Sequence, residues 1–243
     1  MFGRSGANER HNDVWILDTS SWAWFPVEFA SDAALPPSRD FSSATALPGG
    51  RALLYGGWDG QRWLSDLWLL EVSPGSTMGA WYPLTVLGQA PQARSGHCLI
   101  ALEKGQSALL FGGGGASGQL LNDLWALRGL GPLIAGDPNQ LRWTKMSLSG
   151  PTPSPRSCAS MVNITSKWVG IFGGHSTEGW LSKHRVFLDD FMFLDREQVG
   201  GGAMVDGCYS FVWLEWWRRG WRLFPPPPFP LPPGKKPKRN YNK

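Results

Sequence analysis

Three arginines recur in this chain at matched positions. A guanidinium is well shaped to grip a carboxylate with two parallel hydrogen bonds. Arg39, Arg94 and Arg156 each stand 17 or 18 residues before a glycine pair, at Gly56, Gly112 and Gly173. Gathered on one face, they would form an electropositive mouth suited to acidic peptides or carboxylates. The alternative is that each guanidinium hydrogen-bonds neighbouring loop carbonyls and only holds the scaffold together, since repeats keep scaffold residues as readily as site residues. The two readings separate on stability: replacing Arg39 and Arg94 by Ala would weaken an acidic partner in the first case and lower the melting temperature in the second. A second group of candidates follows the glycine pairs. Trp58, Asp59, Arg62 and Trp63 lie in one such stretch, and His175, Glu178 and Trp180 in another. Aromatic and charged loop side chains are what a partner surface is built from. For the tryptophans, packing between repeats is the competing reading.

Catalytic chemistry has little support. The four histidines, His11, His97, His175 and His184, are scattered, with no HExxH or HxH pairing. No spacing of acids marks an acid–base pair. Gly112 to Gly115 form a glycine run, but no GK[ST] follows to cradle a phosphate. Cys98, Cys158 and Cys208 are odd in number and far apart, which excludes a disulfide framework or a CxxC metal pair. They fit a reducing compartment, so the expected location is cytoplasmic or nuclear. No cofactor and no metal are expected. Five positive charges fall within the last nine residues, at Lys235, Lys236, Lys238, Arg239 and Lys243. The net charge of +4 therefore leaves the rest of the chain at −1, and the folded part is not expected to bind nucleic acid. No apolar run is long enough for a membrane helix, no apolar leader follows Met1, and no membrane partner is expected.

The elements that must carry these side chains are legible as a repeat. Leu53-Leu54-Tyr55-Gly56-Gly57 matches Leu109-Leu110-Phe111-Gly112-Gly113 and Gly170-Ile171-Phe172-Gly173-Gly174, and Met1-Phe2-Gly3-Arg4 is a looser version. Each Arg opens a run of small and apolar residues, as in Arg94-Ser95-Gly96-His97-Cys98. After each glycine pair comes Asp66-Leu67-Trp68 or Asp123-Leu124-Trp125, with Asp13-Val14-Trp15 and Asp190-Phe191-Met192 as relaxed copies. A later Trp follows at Trp24, Trp81 and Trp143, with Trp213 expected in the last unit. Proline-rich links lead to the next Arg. The period is 55 residues from Arg39 to Arg94 and 62 from Arg94 to Arg156. Each unit reads as four short strands, here a to d, and such units at a period near 50 indicate propeller blades. The glycines at the end of strand b allow positive φ and close backbone approach. The Asp before strand c is expected to accept backbone N–H groups of its loop. Trp15, Trp24, Trp68, Trp81, Trp125 and Trp143 are expected in the core.

The ordered set Arg-Ser-Gly-His, Leu-Leu-Phe-Gly-Gly, Asn-Asp-Leu-Trp, Trp resembles the kelch repeat, over roughly residues 1–217. The resemblance implies an all-β fold: a kelch-type β-propeller, incomplete, with about three to three and a half four-stranded blades. Strand a would line the axis and strand d would lie outermost. The expected divisions are a partial blade of strands b to d at 1–25, a blade with its leading link at 26–93, a blade at 94–155, a degenerate blade at 156–217, and a proline-rich, basic tail at 218–243. Strand alternation puts the b–c loops and the d-to-a links on one face, where kelch proteins commonly bind. The implied function is a protein-interaction module for a protein or peptide, with an acidic one favoured, such as the recognition part of a ubiquitin-ligase adaptor of F-box/kelch type. Two alternatives stand beside it. One is a remnant of a kelch-like enzyme such as a galactose-oxidase-like oxidase, which stoichiometric metal would reveal. The other is a truncated product without independent function, which would aggregate or unfold without cooperativity.

Overall fold

The computed structural model describes residues 4–5, 9–134, 141–149, 152–177, 185–196 and 208–214. Blade II is complete, with strand a at Ser43–Leu47, b at Arg51–Trp58, c at Trp63–Val72 and d at Gly79–Leu84, antiparallel in that order. Blade III repeats it with a at Cys98–Leu102, b at Ser107–Gly115, c at Leu120–Arg128 and d at Arg142–Lys145. Blade IV has a at Ser160–Asn163, b at Trp168–Phe172, c at Phe191–Asp195 and d at Cys208–Leu214. Its b–c connection carries a small hairpin, His175–Thr177 against Arg185–Phe187. Blade I contributes a b–c tip, Arg4–Ser5 against Glu9–Arg10, then c at Trp15–Asp18 and d at Ala23–Pro26. The chain is thus an incomplete kelch-type β-propeller.

The alternation of each strand sorts its side chains onto the two blade faces. From blade II, Leu53, Tyr55, Leu67 and Leu69 point forward to meet Leu110, Trp125, Leu127 and Trp143 of blade III. Blade III in turn sends Leu109, Phe111, Leu124 and Ala126 against Val169, Ile171, Met192 and Leu194 of blade IV. Facing pairs of sheets therefore bury an almost purely apolar seam, with the large aromatic rings supplying much of the area. Trp15 and Trp24 correct the expectation of a uniform Trp core. They hold the positions of Trp68 and Trp81, yet are 43% and 53% exposed, because no blade covers that side of blade I among the described residues. The expected late Trp of blade IV is also corrected. Leu70 pairs with Trp81 and Leu127 with Trp143, but the matching Leu194 pairs with Phe211, two residues before Trp213.

Backbone hydrogen bonds join neighbouring blades at both radii. Near the axis, the second residue after each Arg has positive φ: Phe41 at 53°, Gly96 at 64° and Cys158 at 56°. That kink turns the peptide sideways, so Gly96 N–H donates to Phe41 O and Cys158 N–H donates to Gly96 O, each at 2.7 Å. On the outside, the link leaving one blade runs parallel to strand d of the next. Glu28 pairs with Met78, Leu87 with Arg142, and Ser147–Ser149 with Cys208–Ser210.

The axis-side kinks also demand glycine nearby. Gly113 has φ of 99°, and a Cβ there would meet Ser95 O at 2.8 Å and His97 Cβ at 2.9 Å. His97 itself is buried between blades II and III, edge-on to Tyr55 at 5.4 Å. Burial, then the nearby Arg94 charge, push its pKa down to about 3, against a small opposing effect of the Tyr55 backbone. The ring is therefore neutral in the fold but protonates near pH 6.5 once unfolded. The unfolded state binds the extra proton between these values, so stability present above pH 6.5 is lost as pH falls towards 3. Chemical denaturation between pH 6.5 and about 4.5, above the carboxylate range, should show a loss that includes up to about 1.4 kcal/mol per pH unit from His97, a part that His97→Phe removes while His175 keeps its own smaller share. An unchanged slope in the variant would refute this role.

Candidate functional site

The repeating arginines are the first candidates, and their surroundings are the same three times over. Arg39, Arg94 and Arg156 are 0%, 0% and 1% exposed. Arg39 grips Asp66 with two bonds of 2.7 Å, Nη1 to Oδ1 and Nη2 to Oδ2. Arg94 grips Asp123 at 2.6 and 2.9 Å, and Arg156 grips Asp190 at 2.7 and 2.8 Å. The same Nη1 also donates to the first glycine of the pair, Gly56, Gly112 or Gly173, at 2.9, 2.9 and 3.1 Å. Each Nε donates two residues back, to the carbonyls of Pro37, Gln92 and Ser154. One guanidinium therefore ties the d-to-a link, the end of strand b and the start of strand c within one blade.

This corrects two expectations. The three arginines do not form an open electropositive mouth, because each charge is buried and its donors are taken by the carboxylate and carbonyls of its own blade. The Asp of the Asp-x-Trp motif accepts the guanidinium rather than loop N–H groups, and it also accepts the indole. Trp68 Nε1 donates to Asp66 and Trp125 Nε1 to Asp123, each at 2.7 Å, and Trp15 Nε1 donates to Asp13 at 2.5 Å. In blade IV Met192 stands in the Trp position, and Arg156 Nη2 reaches its Sδ at 3.9 Å. Burial alone would raise the Asp123 pKa, but the hydrogen bonds and charge of Arg94 outweigh it, so the carboxyl lies below its ordinary value.

The proline-rich links are pinned from the blade before them. Asn12 and Asn122, the residues ahead of the motif Asp, donate to Pro36 O and Pro153 O at 3.0 and 3.1 Å. Blade II has Ser65 there, and Tyr55 takes over, its hydroxyl donating to Pro91 O at 2.8 Å.

Beside these links stand the b–c tips, where Trp58 and Trp63 are half-buried and Arg62 faces solvent. In blade II the tip is a tight hairpin in which Trp58 pairs with Trp63. Their rings sit 4.3 Å apart, tilted by 57°. Asp59 accepts the N–H groups of Gln61 and Arg62, each at 2.8 Å, which fixes the turn. Its slight burial acts to raise its pKa, but these bonds and the Arg62 charge bring it below the ordinary value. Arg62 reaches Asp59 at 3.3 Å yet keeps 78% of its side chain exposed. In blade III the matching tip is the glycine-rich turn 114–119, closed by Gly115 N–H on Gln119 O. In blade IV His175 exchanges backbone bonds with Ser157 at 2.9 and 3.0 Å, the same bridge that Trp58 makes with Asp40. Burial and the Arg185 charge lower its pKa. Glu178 and Trp180 lie outside the described residues, so of the predicted loop candidates the structure brings together Trp58, Asp59, Arg62 and Trp63.

Sequence reasoning missed a groove on the opposite face. It has a volume of about 790 Å³ and lies between the blade I hairpin and the turns of blade II, lined by Ile16, Asp18, Phe25, Gly50, Val72 and residues 73–77. The residues carry no shared motif, and only the meeting of two blades makes the groove. Among the described residues, no three His, Cys, Asp or Glu side chains converge as a metal site would require.

Comparison with known proteins bears on the repeat and its fold. The KLHDC2/KLHL20/DRC7 Kelch-repeats domain model matches residues 1–127 and 76–199. The chain is 33% identical to Host cell factor 1 of Homo sapiens over 217 residues, covering 84% of this chain and 10% of that protein. It is 28% identical to the F-box/kelch-repeat protein At1g51550 of Arabidopsis thaliana, covering 89% of this chain and 45% of the relative. The chain therefore spans less than half the length of these relatives. Among solved structures, a chain from a cryo-EM structure of RAG in complex with one melted RSS and one unmelted RSS superposes with a TM-score of 0.56 at 14% identity. The match covers 84% of this chain and 59% of that one, and it speaks for the fold alone.

A scaffold role for the arginines has a measurable consequence. Arg94→Ala should cost about 3–5 kcal/mol of unfolding free energy, since it strands a largely buried carboxylate. Arg94→Lys should recover little, because a point ammonium cannot make the paired bonds. Denaturant melts of both variants check this, and a loss below about 1 kcal/mol in Arg94→Ala would contradict it.

Proposed function

The chain belongs to the kelch-repeat family, whose members matched here support a protein-interaction module, and from that premise we propose that it binds a protein or peptide through its b–c tips. The observation that carries the reading is the blade II tip. There Trp58 and Trp63 form a half-buried aromatic pair beside the exposed guanidinium of Arg62. Paired aromatics with an adjacent arginine are the residue types that dominate binding energy at interfaces. The turn beneath them is fixed by Asp59, so little ordering entropy is lost on binding.

The buried arginines enter this reading only as positioners. With Arg39, Arg94 and Arg156 neutralised by their aspartates, attraction to an acidic partner would rest on Arg62 and, across the same face, Arg185. The family relationship also supports a place in a longer protein, and an F-box/kelch relative favours the recognition part of a ubiquitin-ligase adaptor. Action in the cytoplasm or nucleus belongs to the same proposal, in keeping with the free thiols of Cys98 and Cys158.

Selection of displayed random peptides on the 243-residue chain tests the reading. Recovered peptides should be enriched in Asp and Glu next to apolar residues. Trp58→Ala, Trp63→Ala and Arg62→Glu should each weaken them about tenfold or more, a typical hot-spot effect. Peptides that bind the Trp58→Ala/Arg62→Glu double variant as well as the native chain would refute the tip as the site.

A further inference from the structure

Repeats keep what the scaffold needs, so the places where one blade breaks the pattern mark what is particular to it. Three residues before the motif Asp, blades II, III and IV carry the apolar Trp63, Leu120 and Phe187, whereas blade I carries Arg10. Directly after the recurring Arg, blades III and IV carry Ser95 and Ser157, whereas blade II carries Asp40. The two departures fall in different blades, yet the fold brings them together. Arg10 Nε lies 3.0 Å from Asp40 Oδ2.

This pair is built unlike the buried Arg–Asp grips within each blade. The Asp40 side chain is 4% exposed, and its Oδ1 has no hydrogen bond among the described residues, so Arg10 supplies the charge that its burial demands. Arg10 meets it through Nε, and neither of its Nη groups has a hydrogen-bond partner among the described residues. Nη1 lies over the blade II turn, 2.6 Å from where a Cβ on Gly60 would stand. Gly60 has φ of 103° and leaves the room that the guanidinium fills. The same turn carries Arg62, whose Nε lies 3.3 Å from Asp59 Oδ2. Two guanidiniums thus stand at one turn, each tethered to a carboxylate. In both pairs the acid is the more buried partner, at 4% against 20% for Asp40 and Arg10 and 17% against 78% for Asp59 and Arg62, so the positive end is the one that meets solvent.

We propose that Arg10 is a second carboxylate-binding residue of the blade II tip, taking an acidic side chain of the bound peptide together with Arg62. The proposal rests on the reading of that tip as the binding site, and it adds a residue from a neighbouring blade to Arg62 and Arg185. A carboxylate offers about four lone-pair sites, enough to accept from two guanidiniums at once. Apolar neighbours of that acid would meet the Trp58–Trp63 pair. Asp40 acts as a positioning residue, holding Arg10 against Gly60 without touching the peptide. The competing role for the Arg10–Asp40 pair is to join blades I and II and nothing more. Arg10→Leu with Asp40→Ser separates the two roles. It installs the residue types that blade III already carries at Leu120 and Ser95, and it removes the ion pair without stranding a buried charge.

The test begins with displayed random peptides selected on the native 243-residue chain. The strongest peptide is made as recovered, and again with each Asp or Glu changed to its amide. Both forms are titrated by calorimetry against the native chain, the Arg10→Leu/Asp40→Ser variant and Arg10→Lys. Arg10→Lys keeps a charge opposite Asp40, so it carries the test if the double variant melts early. The acidic peptide should bind each variant at least about tenfold more weakly than the native chain, since an ammonium cannot make the paired bonds. One acid-to-amide change should remove that difference, because the lost contact is then already absent. Acidic and amide peptides weakened alike, or an acidic peptide that binds either variant as it binds the native chain, would overturn the role of Arg10 and leave the tip reading standing. A native chain that recovers no peptide, or recovers peptides indifferent to Trp58→Ala/Arg62→Glu, would overturn both.

Discussion

The buried guanidinium–carboxylate clamp is the interaction on which the rest of this structure depends. An arginine withdrawn from water is tolerated only when its donors are satisfied and its charge is matched. Each blade solves this in the same way. Asp66, Asp123 and Asp190 supply two oxygens apiece, the first glycine of the pair supplies a carbonyl, and the d-to-a link supplies another. The solution dictates chain geometry. The link must curl so that its carbonyl faces the Nε two residues on, and strand b must turn at the glycine so that its carbonyl faces Nη1. Tight turns on this face, and with them the tip that carries Trp58, Arg62 and Trp63, follow from the clamp.

Once the blades are so formed, their assembly uses side chains for energy and backbone for register. The seams are apolar and non-directional, so a sheet could slide along its neighbour with little loss. The single N–H to carbonyl bonds from Gly96 to Phe41 and from Cys158 to Gly96 remove that freedom near the axis. The parallel pairing of each outgoing link with the next strand d removes it at the rim. A bond at each radius fixes both the spacing and the twist of adjacent blades.

Much of this was legible in the residues. The glycine pairs, the Asp-x-Trp motif and the recurring Arg were visible as a period, and strand order within each blade followed from them. What spacing could not supply was the direction of the arginines. Arg39 lies 27 residues from Asp66 in sequence, and nothing local pairs them; only the return of strand c beside strand b brings the carboxylate to the guanidinium. The Trp positions were equally legible as a pattern but not as burial. Trp24 and Trp81 are alike in sequence context but not in burial, since a blade stands behind Trp81 and, among the described residues, none stands behind Trp24. Trp213 was read as the closing aromatic from its place in the repeat, whereas ladder register assigns that position to Phe211.

The sequence by itself determined the architecture: four-stranded units of a kelch propeller, with the glycine kinks and apolar strands that each blade requires. Those are properties of local conformation and alternation, which a one-dimensional pattern carries. The tertiary structure decided which repeated residues serve the scaffold and which remain free to bind. Burial and pairing are properties of three-dimensional neighbours, and here they took the charge of three arginines inward and left that of Arg62, at the tip of blade II, in solvent.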